Sequence, residues 1–219
     1  MSRVLVIPDQ HCPFMLKRAV PFLLKQQDKW KTDTVMNIGD VTDSYFASRF
    51  QKDPIQSTPW EIEACIKQID KLKVAFPDQR VCIGNHDERV AKRCEEAGVP
   101  SQFLKDYAAV WDTPTWEWGI SFMIDGVLYV HDAGCGGITG PRRAALEEGR
   151  SVVHGHYHKH AGIHYIRQRT KRKQIWGMNV GTVVDEKAYA FAYGKKERLG
   201  SVLSCAVVLD GDPIFIPMQ

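Results

Sequence analysis

The stretch SVVHGHYHKH, residues 151–160, puts four of the chain's eight histidines into seven residues, straight after a short apolar run. Three readings compete: a metal site, a histidine-rich accident, or partly buried imidazoles satisfied by hydrogen bonds. Ser151-Val152-Val153 is β-type, and in extended backbone residues two apart point to the same side. His156 and His158 are therefore a candidate pair at a strand end. Whether they bind anything depends on what other strand ends bring to them.

Four other β-type runs stop in the same manner. VLVIP is followed by Asp9-Gln10-His11, and VMNI by Gly39-Asp40-Val41-Thr42-Asp43. VCI runs into Gly84-Asn85-His86-Asp87, and VLYV ends in His131. Strand ends at one edge of a sheet converge, and ligands in layered α/β folds sit at the carboxyl ends of strands. Carboxylates, imidazoles and an amide oxygen together suit Mn²⁺, Fe or Zn²⁺. The set is too rich in histidine for a dedicated Mg²⁺ or Ca²⁺ cage. Gly39, Gly84 and Gly155 each precede a ligand candidate and let the chain turn sharply. Each motif alone is common. The ordered series D-x-H, G-D-x-x-D, G-N-H-D, H and G-H-x-H, each after a β-type run, is not expected by coincidence.

The remaining sequence frames a fold. A chain of 219 residues with 44% hydrophobic content buries a sizeable core and fits one domain, 1–219. Segments of helical character separate the first three runs. One is Arg18 to Gln27. The clearer one, Trp60 to Phe76, has Ile62, Cys65, Ile66, Ile69, Leu72 and Val74–Ala75 at spacings near three and four, with Thr58-Pro59 before it and Pro77 after. Beyond Gly155 the pattern turns to strands and hairpins, with Asp210-Gly211 as a turn. The order predicts βαβ at the front and mainly antiparallel β at the back: layered sheets with helices outside. Six scattered cysteines, Cys12, Cys65, Cys82, Cys94, Cys135 and Cys205, form no C-x-x-C. MSRVLVIPDQ reads as a strand rather than a signal segment, and no apolar run approaches the roughly 20 residues that cross a bilayer. These features predict a reduced cytoplasmic protein with free thiols and no membrane partner. The net charge of +3 permits an anionic partner without requiring one.

The ordered series resembles the signature of the calcineurin-like metallophosphoesterase superfamily. The resemblance runs from Asp9 to His158, and Asn179-Val180-Gly181-Thr182 is similar to the family's later N-x-G-S/T element. The last part of the chain is also similar to small phosphoesterases of bacteriophages and prophages. The resemblance implies an α/β fold: a four-layer αββα sandwich of two mixed β-sheets flanked by helices, with a dinuclear metal site at strand C-terminal ends. It implies that Asp9, His11 and His158 hold one divalent ion, that Asn85, His131 and His156 hold the other, and that Asp40 bridges them. Mn²⁺ leads the candidates, with Fe, Zn²⁺ or Ni²⁺ as alternatives. His86 would be a general acid near the leaving group rather than a ligand, oriented by Asp43. Hydrolysis would proceed by direct attack of a metal-activated water on phosphorus, so none of the cysteines would be needed as a nucleophile. The implied substrate is a phosphomonoester or phosphodiester, with nucleotides or nucleic-acid-derived compounds favoured. The alternatives are a nuclease of the same superfamily and an interaction module that has lost catalysis. The roughly 60 residues after the last ligand motif predict no obvious extra capping domain, which counts against the nuclease, and every expected ligand position is filled, which counts against the silent module.

Some positions depart from the family pattern. Ser44 and Ile83 stand where the superfamily's protein phosphatases carry phosphate-gripping arginines, which demotes a protein-phosphatase reading. Arg89, one helical turn past His86, either contacts the substrate phosphate or pairs with Glu88 or Asp87. Asp132 follows His131 where many relatives have glycine, and either adjusts a ligand hydrogen bond or faces water. The basic stretch Arg167 to Lys173 is either a solvated hairpin tip or a grip on nucleic acid, with Tyr165 and Trp176 as stacking candidates or core residues. Tyr107 to Ile120, with three tryptophans, reads as a loop packing its aromatics on the body or as a lid or substrate wall. His154 reads as a strand residue, and His160 and His164 as bystanders. Oligomeric state is open.

Overall fold

The computed structural model describes residues 2–49, 58–168, 173–188 and 200–219. Its elements run β1 (Arg3–Ile7), α1 (Ala19–Trp30), β2 (Thr34–Asn37), α2 (Thr58–Ala75), β3 (Gln79–Cys82), α3 (Arg89–Glu96), α4 (Tyr107–Trp111) and β4 (Trp116–Gly119). There follow β5 (Ser121–Ile124), β6 (Val127–Val130), α5 (Gly140–Glu148), β7 (Ser151–His154), β8 (Gly162–Gln168), β9 (Lys173–Asn179), β10 (Ser204–Leu209) and β11 (Asp212–Pro217).

Two mixed sheets result. The first has the order β11-β10-β1-β2-β3-β4 and the second β5-β6-β7-β9-β8. Side-chain alternation along the strands builds three apolar layers between them and the helices. In β1, Leu5 and Ile7 join Val35, Val81 and Val207 under α1 and α2. Val4 and Val6, with Met36, Ile38, Val208, Tyr129, Val153 and Met178, fill the space between the sheets. Val152, Ile166 and Ile175 meet Ala144 and Ala145 of α5 on the far side. The order helix, sheet, sheet, helix is the expected four-layer sandwich.

Helix α2 shows why the core needs only part of the expected stripe. Cys65, Ile69 and Leu72, at i, i+4 and i+7, are buried with Glu61, whereas Ile66 and Val74 face outward, Val74 at 86% exposure. Burying an aliphatic side chain of this size contributes about 1.5–3 kcal/mol, so the three inward residues fix the helix without the other two. The Tyr107–Ile120 segment differs more. Asp106 caps α4 by accepting from the Ala109 amide, and Trp116–Gly119 joins β3 as a parallel edge strand. Trp116 is buried and Trp118 stacks on Tyr107 at 5.2 Å. The segment is part of the body rather than a lid. Among the described residues, no helix is long and apolar enough to cross a membrane.

Strands β1, β2 and β3 are parallel neighbours, and so are β6, β7 and β9. Their carboxyl ends therefore open at one edge of each sheet, and the loops that leave them carry the candidate residues.

Candidate metal centre

All seven candidate ligands lie in those loops. Asp9 and His11 follow β1, Asp40 follows β2, Asn85 follows β3, His131 follows β6, and His156 and His158 follow β7. Donor atoms of Asp9, His11 and His158 lie within 4.8 Å of one another, as do those of Asp40, His131 and His156. Asp40 stands between the two groups. Its Oδ2 is 3.4 Å from His11 Nε2 and 3.2 Å from His131 Nε2. Its Oδ1 accepts the His86 backbone N–H at 2.8 Å. Asn85 Oδ1 sits 3.1 Å from His131 Nε2 and 2.8 Å from His156 Nδ1. His11 Nε2 and His158 Nε2 face each other at 3.2 Å.

The outer ring nitrogens hold the inner ones in register. His131 donates through Nδ1 to the Ile38 carbonyl at 3.0 Å, and His11 through Nδ1 to Asp43 Oδ1 at 2.9 Å. Each bond places a proton on Nδ1 and turns Nε2 toward the site, where it would offer a lone pair to a cation that displaces any proton on it, the usual arrangement behind metal-binding imidazoles. The backbone is held in a costly form here. His11, Asp40 and His156 have φ of 47°, 45° and 67°, and non-glycine residues in that left-handed region cluster at functional sites.

Two glycines matter for close approach rather than for a special φ. A Cβ on Gly84 would meet Asp40 Oδ1 at 2.1 Å, and one on Gly155 would meet Asp9 Oδ1 at 2.2 Å. Any side chain there would push the carboxylates out of position. Other contacts lock the loops together. Asp87 accepts from Thr42 N, Thr42 Oγ1 and Gly84 N at 2.9, 2.9 and 3.0 Å. Thr182 Oγ1 donates to the Asp9 carbonyl at 2.8 Å, and Asn179 Nδ2 to the Tyr157 carbonyl at 2.8 Å. The N-x-G-T element thus ties the end of β9 to the Asp9 and His156–His158 loops.

Burial of Asp9, Asp40 and Asp43 concentrates negative charge in a dry site. Burial opposes the charged form of Asp40, yet His131 and His86 hold its carboxyl well below the usual range. Asp43 is likewise disfavoured by burial, but its hydrogen bonds from His11 and His86 outweigh that and lower it. Burial lowers His131, but the Asp40 charge and hydrogen bond reverse this and raise it to about 10. Burial and the neighbouring His86 lower His11 to about 4, so it is neutral at neutral pH. With buried carboxylates in excess, a proton on His131 balances the charge in a cation-free site; a bound cation would do the same. Asp9 Oδ1 is fully buried with no hydrogen-bond partner, which is costly unless something else meets it. The convergent donors, the excess carboxylate and this orphan oxygen all fit divalent cations.

His86 Nδ1 lies 2.9 Å from Asp43 Oδ1. His86 also forms a third group with His11 and Asp40 within 4.8 Å. Arg89 takes neither of the acidic partners considered for it. Asp87 is engaged by the Thr42 and Gly84 loops, and Glu88 pairs with Lys92 at 2.6 Å. Arg89 instead donates to the Asp43 carbonyl at 2.8 Å and to His86 Nε2 at 3.0 Å.

No protein-family profile matches the sequence, and no curated protein does. Solved structures with a similar arrangement include a metallophosphoesterase from Sphaerobacter thermophilus. It has 15% identity and a TM-score of 0.46, with 100% of this chain and 88% of that one covered. Vps29 from Chaetomium thermophilum has 12% identity and a TM-score of 0.46, covering 95% and 85%. YfcE, a phosphoesterase from E. coli, has 13% identity and a TM-score of 0.43, covering 98% and 96%.

Three residues support the site through contacts that their sequence positions do not announce. Asp87 could be seen in G-N-H-D but not its grip on Thr42. Thr182 lies far along the chain from Asp9. Glu61, buried in α2, accepts the Tyr45 and Phe46 backbone N–H groups at 2.5 and 2.8 Å and so anchors the turn just after Asp43. His154 is buried in β7, where burial lowers it to about 4, in keeping with a strand residue. Trp176 is buried and donates to the Gly211 carbonyl at 3.0 Å, so it is core rather than a stacking platform, while Tyr165 is exposed. Of the basic stretch Arg167 to Lys173, residues 169–172 lie outside the described residues.

Proposed function

We propose that this chain is a dinuclear-metal-dependent phosphoesterase of the calcineurin-like metallophosphoesterase superfamily. Its substrate would be a phosphomonoester or phosphodiester, with nucleotides or nucleic-acid-derived compounds first. The observation that carries the reading is the sharing of one carboxylate: Asp40 Oδ2 lies within 3.4 Å of His11 and 3.2 Å of His131, which belong to two separate donor groups. Asp9, His11 and His158 would hold one ion and Asn85, His131 and His156 the other, with Asp40 common to both. Mn²⁺ leads the candidates, and Fe, Zn²⁺ or Ni²⁺ also suit the donor set. Two such cations would neutralise charge on phosphoryl oxygens and acidify a water toward neutral pH.

The protein's own groups do the rest. His86, held through Nδ1 by Asp43, would present Nε2 to the leaving oxygen and protonate it, a contribution of about 10²–10⁴-fold. Arg89 would leave Nε2 for a non-bridging phosphoryl oxygen, where a guanidinium stabilises developing charge. Burial raises the thiols of Cys65, Cys82, Cys135 and Cys205, which disfavours these four as covalent nucleophiles. The test is a Mn²⁺-supplemented assay with a chromogenic phosphomonoester and a bis-ester, followed by nucleotides and oligonucleotides. Turnover on one class supports the reading and names the substrate type. Failure on all of them, with metal bound, contradicts it.

A further inference from the structure

The half-buried imidazole of His156 has named neighbours on three sides. Its Nδ1 faces Asn85 Oδ1 at 2.8 Å. The His131 ring meets it edge-on at 5.3 Å and the Tyr157 ring edge-on at 4.6 Å. The remaining corner, Nε2, points out of the site toward Asp132 Oδ2 at 4.0 Å. Asp132 is itself steadied, because its Oδ1 accepts the Gly134 backbone N–H at 2.8 Å. The same turn continues into Gly136, where a Cβ would strike the Tyr157 ring at 2.8 Å. The loop after His131 therefore closes around the His156–Tyr157 pair.

His11 and His131 each have an acceptor on the outer nitrogen at 2.9 and 3.0 Å. For His156 the outer nitrogen lies 4.0 Å from Asp132 Oδ2. We propose that Asp132 is a positioning residue for His156 and selects the tautomer that metal binding requires. This rests on the dinuclear reading above. In a cation-free site Nδ1 carries the proton and donates to Asn85. A cation held by Nδ1 would need its lone pair, and the ring's proton would then sit on Nε2. There it faces the Asp132 carboxylate. At 4.0 Å the attraction is electrostatic rather than a direct hydrogen bond, and it acts on the Nε2–H form alone. Hydrogen-bonded partners behind metal-binding imidazoles typically change affinity 10–100-fold, which sets the scale for this charge.

The test is calorimetric titration of the chelator-stripped full chain with Mn²⁺, comparing wild type with Asp132→Asn and Asp132→Ala. Asparagine keeps an acceptor for the Gly134 N–H and so keeps the turn, but removes the charge that faces Nε2. The expected result is two Mn²⁺ sites in the wild type. One of them should weaken 10–100-fold in both variants while the other is unchanged, with equal melting temperatures for the three metal-free proteins. Wild-type affinity at both sites in Asp132→Asn overturns the proposal, whatever the alanine variant does, because it assigns Asp132 to shaping the turn. A wild type that binds no Mn²⁺ contradicts the dinuclear reading itself, and the tautomer proposal with it.

Discussion

Arg89 reaches His86 Nε2 at 3.0 Å, the nitrogen that must carry a proton if His86 is to act as an acid. In this arrangement His86 donates through Nδ1 to Asp43 and accepts at Nε2 from the guanidinium. A substrate phosphate is a stronger attractor for Arg89 than a neutral imidazole. Arg89→Ala should therefore lower kcat/KM by about 10–100-fold, the worth of a hydrogen bond to a charged group, with metal content unchanged. Steady-state kinetics alongside elemental analysis checks this. An unaltered kcat/KM would leave Arg89 as a structural tether of the Asp43 loop.

His86→Ala separates acid from ligand. Turnover should fall about 10²–10⁴-fold while two metal ions per chain remain. His86 also lies in a donor group with His11 and Asp40, so a drop to one ion would identify it as a ligand.

Asp43→Asn is expected to do more damage than its place in the motif suggests. One oxygen, Oδ1, lies 2.9 Å from both His11 Nδ1 and His86 Nδ1. The substitution should lower turnover as His86→Ala does, and should also weaken metal binding 10–100-fold through His11. Metal titration distinguishes the two substitutions: weakened binding belongs to Asp43→Asn alone.

These contrasts mark what the sequence can and cannot convey. The ligand residues were legible because each ends a β-type run, and parallel strands carry such ends to one edge. The double duty of Asp43 was not, because a spacing of three from Asp40 says nothing about which ring nitrogens surround it. For Arg89 the sequence offers either the substrate phosphate or the adjacent acids, and it does not show that Asp87 is engaged by a loop 45 residues away in sequence. Strand β4 escaped notice since Trp-Glu-Trp-Gly is four residues long and lies behind a proline. Its edge pairing with β3 and the burial of Trp116 decide it. In α2, apolar spacing marked the helix but not its inward face, where Glu61 takes a position that a hydrophobic pattern assigns to no one.

Glu61 gives a pH signature independent of metal. Burial raises its carboxyl from an ordinary 4.5 to about 7, despite the backbone N–H groups of Tyr45 and Phe46. The folded protein thus binds this proton more tightly than the unfolded chain does. That stabilisation is complete below pH 4.5 and is lost as pH rises through about 7. Glu61→Gln should remove this component, so its stability relative to wild type should rise between pH 5 and pH 8, on the order of 2–3 kcal/mol. Urea unfolding of the metal-free proteins at those two pH values measures it. A difference that is constant with pH would mean that Glu61 is ionised throughout.

The most direct measurement is anomalous diffraction from crystals loaded with Mn²⁺. Two peaks are expected, one among Asp9, His11 and His158 and one among Asn85, His131 and His156, with Asp40 between them. The absence of any peak there, or a lone peak held by His11, Asp40 and His86, would contradict the shared-carboxylate centre.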